Sequence, residues 1–188
     1  MATALLDLVK SRYRQSHKRL LKMVDSITDQ QLAWKPTPTA HSVAFQVWHA
    51  ARIEDYFQFR IAETVPDAQK KLGPARQIWM AENLATRWGL DPNMLGIGEL
   101  GEGMDDRAAA GLRLPGKDVL MEYTRKAFAA AERAVAALTD EQMTIMMKDW
   151  AGDQPIAGYL IEYLVHTEWD IGQIACLRRA QDLPRVMV

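Results

Sequence analysis

Cysteine is nearly missing from this chain of 188 residues, where Cys176 stands alone. A single thiol excludes an internal disulfide and fits a reducing cytoplasm. No apolar run approaches the ~20 residues that cross a bilayer. Residues 1–10 set Asp7 inside their apolar stretch and lack a basic start, so they do not read as a secretory signal. Neither sign of charge dominates: 23 Lys and Arg are interspersed with 24 Asp and Glu, for a net charge of −1. That balance argues against a nucleic-acid or membrane-binding surface. Sustained period-two alternation, the mark of half-buried strands, is also missing. What is plentiful is bulk. Six Trp, ten Met and 48% apolar residues fit one globular domain, 1–188, with a large core.

The expected fold class is all-α, because four segments carry helical periodicity. Leu5, Val9, Tyr13, Leu20, Met23 and Ile27 recur at three- and four-residue steps in the first. Thr28 and Gln31 then form a capping-box pattern that opens a short helix toward Trp34, stopped by Pro36 and Pro38. The second long helix starts at Ser42 as N-cap, and Val43, Phe45, Val47, Trp48, Ile53 and Phe57 cover most of its circumference. The third runs from about Asp118 with Leu120, Phe128, Ala131, Val135 and Leu138 on one stripe, followed by a second capping box at Thr139–Gln142. The fourth begins after Pro155 and continues to about Ala180. A long crossover, 64–117, separates helices two and three; it holds a short helix near 76–88 and a glycine-rich stretch, 96–103. Such a connection joins two helix pairs of a four-helix bundle.

The two halves share a frame. Thr28-Asp29-Gln30-Gln31, then Pro38, then His49 parallels Thr139-Asp140-Glu141-Gln142, then Pro155, then His166. Each proline precedes its histidine by the same interval, so a pseudo-twofold axis would turn both imidazoles toward one centre. Asp170 lies one helical turn after His166 on the same face. Two imidazoles and a carboxylate converging inside a bundle suit a divalent metal. The competing reading is a histidine packed among Phe45 and Ile53, and a His166–Asp170 hydrogen bond that only orients the ring.

Other motifs carry less. Glu54 and Asp55 read either as acceptors behind His49 or as a solvated face, with a salt bridge to Arg52. His17 has no partner at ligand spacing, and His41 belongs to the cap at Ser42. Gly96-Ile97-Gly98-Glu99-Leu100-Gly101 matches the dinucleotide fingerprint by letter, but follows no strand and opens no βαβ unit, so it reads as a flexible loop. No basic partner that would activate Cys176 is evident, and it reads as a small core residue.

His41-Ser42-Val43-Ala44-Phe45-Gln46-Val47-Trp48-His49-Ala50-Ala51-Arg52-Ile53-Glu54-Asp55 resembles the second-helix signature of the DinB/YfiT-like superfamily. His166-Thr167-Glu168-Trp169-Asp170-Ile171-Gly172-Gln173 resembles that family's fourth-helix motif, His-x-x-x-His-x-Gly-Gln. The resemblance implies a four-helix bundle in which three side chains hold a divalent ion, commonly zinc or nickel. It places His49 and His166 as ligands, with Asp170 where the family usually carries histidine. A carboxylate there shifts preference toward iron, manganese or zinc.

The better understood members transfer low-molecular-weight thiols such as bacillithiol or mycothiol, or isomerise with their help. The expected function is therefore metal-assisted thiol transfer or hydrolysis of a small molecule, with Trp48, Trp169 and the crossover lining the pocket. The alternative is a non-catalytic metal-binding or dimerisation module of the same fold, which the loss of the usual histidine favours. Helix two is more apolar than one core needs, so either the crossover or a second subunit covers it; a homodimer is expected.

Overall fold

The computed structural model describes residues 5–150 and 152–186. The N-terminal stretch considered as a signal therefore lies partly outside the described residues. Helix α1 spans Leu5–Asp25 and buries Val9, Tyr13, Leu20 and Met23 of the expected stripe, but Leu5 at its start is exposed and Leu6 is buried in its place. Thr28 then closes a capping box with Gln31, each side chain accepting from the other's backbone N–H, and opens α2, Asp29–Ala33. Ser42 caps α3, Val43–Thr64, by accepting from Phe45 N at 3.1 Å. The long α8 covers Lys117–Ala137 and α9 covers Ile156–Arg179. Helix α3 packs on α8 and α9, and α1 packs on the same two partners.

The crossover is built, not loose. It contains α4 (Pro66–Leu72), α5 (Ile78–Ala81), α6 (Leu84–Arg87) and α7 (Asp106–Gly111). Trp79, Leu84, Leu90 and Leu95 join Phe45, Trp48 and Ala51 of α3 in one apolar cluster. Trp79 meets Trp48 edge-on at 5.9 Å between ring centroids. Burying a large side chain of this kind contributes on the order of 2–3 kcal/mol. The surplus apolar face of α3, a reason to expect a second subunit, is thus covered within the chain.

The expectation of a purely helical chain needs one amendment. Strands β1 (Met146–Asp149) and β2 (Gly152–Pro155) form an antiparallel hairpin, Met146 opposite Pro155 and Asp149 opposite Gly152. Only Met147 of β1 is buried, so four residues with one inward side chain leave no alternation to read. The second capping box does form, Thr139 with Gln142, but it opens only a 3₁₀ turn, Glu141–Thr144. Among the described residues no helix is long and apolar enough to cross a membrane.

Candidate metal centre

His49 and His166, equivalent in the two half-frames, face each other from α3 and α9 with their Nε2 atoms 3.2 Å apart. The carboxylate that meets both is Glu102 of the crossover: its Oε1 lies 3.5 Å from each Nε2. One donor atom from each of the three lies within 4.8 Å of the others, a spacing able to hold a metal ion. Asp170 lies on the far side of His166, with Oδ2 3.3 Å from Nδ1. His49 is backed by the Leu100 carbonyl, which accepts from Nδ1 at 2.5 Å, whereas Asp170 stands behind His166 at ion-pair distance without completing a hydrogen bond. Each imidazole thus has a partner behind it and Nε2 turned to the centre, the arrangement in which ligating histidines are held.

Glu102 is where it is because the loop 95–103 is pinned. Ile97 N donates to Glu102 O at 2.9 Å and Gly101 N to Leu95 O at 2.8 Å. Gly101 has φ +89°, and a Cβ there would come within 3.0 Å of both His49 Nδ1 and the Trp48 ring. At Gly96, φ +74°, a Cβ would strike Glu102 O at 2.2 Å. The guanidinium of Arg52, wholly buried, donates to Glu99 O and Gly98 O and to Asp55. The stretch expected as a flexible loop is a strapped turn that carries a site carboxylate.

The electrostatics favour a cation at the centre. Burial, the largest influence on His49, lowers its pKa and keeps the ring neutral; with Nδ1 donating to Leu100, Nε2 offers a lone pair. Burial also opposes charge on His166, but Asp170 and Glu102 outweigh it and push the pKa up to about 10. His166 in turn, by hydrogen bonding, lowers the pKa of Glu102. Two carboxylates facing two imidazoles therefore attract positive charge to the centre, as a proton or as a metal ion that replaces it.

The remaining expectations divide. Trp169 lines the site, but Trp48 is buried beneath it and packs on Gly101. The His41 ring packs at a tilt against Phe45, with centroids 4.2 Å apart. Asp55 does pair with Arg52, at 3.2 Å, but neither it nor Glu54 is solvated: both are fully buried. His17 has no partner at ligand spacing along α1, as expected; the acids that bracket it, Glu54 and Glu132, come from other helices. Cys176 is exposed instead of being a core residue. Glu102 escaped the sequence reading altogether, since nothing in its local spacing signals a ligand.

The DinB superfamily model matches residues 12–174, most of the chain and every residue of this site. The chain belongs to the DinB superfamily. Among solved structures it is similar to a conserved protein from Enterococcus faecalis, at 18% identity and TM-score 0.73, covering 95% of this chain and 97% of that one. At that identity the likeness is one of fold. No curated protein matches the chain.

Proposed function

We propose that this DinB-superfamily chain is a metal-dependent enzyme, its four long helices forming a four-helix bundle around a divalent ion. The observation that carries the reading is the convergence of His49 Nε2, His166 Nε2 and Glu102 Oε1, with partners fixing both rings from behind. Two imidazoles and a carboxylate suit zinc, iron, manganese or nickel. Glu102 supplies the oxygen donor, and Asp170, the donor expected from sequence, holds His166. Three protein donors leave coordination space, and a bound ion would supply Lewis acidity there. The reaction class is hydrolysis or thiol transfer of a small molecule.

The test is metal content of untagged protein with calorimetric titration of the stripped chain. We expect about one equivalent of metal in the parent and none retained by His49→Ala or His166→Ala. Glu102→Gln is expected to weaken binding more than Asp170→Asn, whose loss falls in the roughly 10–100-fold range typical of groups behind a ligand. The reverse order makes Asp170 the third ligand. Unchanged metal content in His49→Ala removes the site. If metal is held but neither ester and amide substrates nor thiol–electrophile pairs turn over, the non-catalytic module stands instead. A homodimer, proposed also, would use the exposed apolar pair Ile161 and Val165 on α9; a solution mass near 21.3 kDa overturns it.

A further inference from the structure

The small cavity over the metal centre, about 230 Å³, does not end there. It shares His41, Trp169 and Gln173 with an adjoining groove of about 600 Å³ that continues along α9 past Gly172 to Cys176 and Leu177. Together they fall in the size range of small-molecule sites. Two features of the groove are unexplained by the fold. Trp169 is 73% exposed at the junction, an indole left in solvent one helical turn from His166. Gly172 sits inside α9, where glycine is a poor helix former, and a Cβ built on it meets nothing within 4 Å. No neighbouring backbone demands that glycine; the space above it is the groove.

The lining is also selective in charge. Among the described residues neither cavity is lined by lysine or arginine, while Glu102, Asp106 and Asp170 all contribute carboxylates. An arm ending in carboxylate or phosphate would lie beside the Asp106 carboxylate with no lysine or arginine in the groove to receive it. An uncharged or cationic arm with a flat apolar body would stack on Trp169 and cover Leu177.

We propose that this groove is the specificity subsite of the enzyme, seating the aryl or alkyl-aryl arm, neutral or cationic, of a substrate whose donor head reaches the ion. The proposal rests on the metal-centre reading above. It also narrows that reading, because thiols rich in carboxylates are poorly matched to the groove and hydrolysis of an arylalkyl substrate suits it better.

Hydroxamates provide the probe, since they bind a metal through two oxygens and carry any chosen arm. Calorimetry on the zinc-loaded chain would compare acetohydroxamic acid, 4-phenylbutyrohydroxamic acid and the monohydroxamate of suberic acid, whose arm ends in a carboxylate. The phenyl arm is expected to tighten binding by about tenfold or more over the acetyl compound, as burial of an apolar ring does. The carboxylate arm is expected to give no such gain. Gly172→Phe, which fills the groove from an exposed helical position, should abolish the gain and leave acetohydroxamate binding in place; Trp169→Ala should reduce the gain. A melting temperature for each variant shows that the fold is kept. Equal affinity of phenyl and acetyl compounds on a chain that holds zinc overturns the groove alone. So does a gain that survives Gly172→Phe. Failure to retain zinc at all overturns the metal-centre reading, and the groove with it.

Discussion

Arg52→Ala is expected to destabilise the chain by about 3–5 kcal/mol, the cost of leaving a buried charge without its partner. Arg52 is 0% exposed, and its guanidinium has an acceptor for every N–H. Nε donates to Glu99 O at 2.9 Å; Nη1 to Asp55 Oδ2 at 3.2 Å and Tyr123 Oη at 3.3 Å; Nη2 to Gln77 Oε1 at 2.9 Å and Gly98 O at 3.2 Å. The group also lies over the Trp79 ring at 5.0 Å. Removing it strands the Asp55 carboxylate in the core, although the backbone N–H groups of Ile78 and Trp79 still donate to it at 2.8 Å. It also frees the carbonyls of Gly98 and Glu99, which hold the turn that presents Glu102. At this chain length the loss corresponds to a fall in melting temperature of roughly 10 °C. Arg52→Lys keeps the charge but has three donors for five acceptors, so it should fall between parent and alanine. Urea denaturation measures both. A change under about 1 kcal/mol in Arg52→Ala would show that the network is not what holds the crossover down. Because the same guanidinium steadies Glu102, metal affinity should fall in parallel, including in variants that remain folded.

What the sequence made legible follows from the range of each interaction. The four long helices were readable because their stripes repeat within the element itself, as Val9, Tyr13 and Leu20 do along α1. The paired histidines were readable because the half-frames repeat, and the structure brings them within contact. Glu102 was not, because its place depends on a turn closed by Gly96 and Gly101 and strapped by Arg52 from another element. The fate of Glu54 and His17 was hidden for the same reason: each has its partners on other helices, so no spacing along one helix reveals them. Cys176 misled because α9 is apolar nearly all round. Its burial depends on what lies above the face shared with Gly172, and there the structure has a groove.

Raising the pH from 6.5 to 9 is expected to cost the metal-free chain about 3 kcal/mol of stability through His17 alone. This imidazole is 2% exposed, stacked on Phe128 at 4.0 Å with Tyr13 edge-on at 5.7 Å. Burial by itself lowers its pKa. Opposing that, Glu54 Oε1 of α3 stands 3.3 Å from Nε2 and Glu132 Oε1 of α8 stands 2.8 Å from Nδ1. The two carboxylates outweigh burial and push the pKa up to about 9. Thr167 of α9 donates to the same Glu54 oxygen at 2.9 Å, so the cluster ties all four long helices together. A folded-state pKa above the unfolded value means that the stabilisation is complete below about 6.5 and drains away as the pH rises through about 9. Other groups titrate across this window, so the informative quantity is a difference. Urea-denaturation free energies of the parent and of His17→Gln are measured at pH 6.5, 7.5 and 9. The parent should lose stability steadily over that range relative to the variant, which is less stable at pH 6.5 and approaches the parent by pH 9. Parallel pH profiles would mean that His17 is neutral in the folded chain.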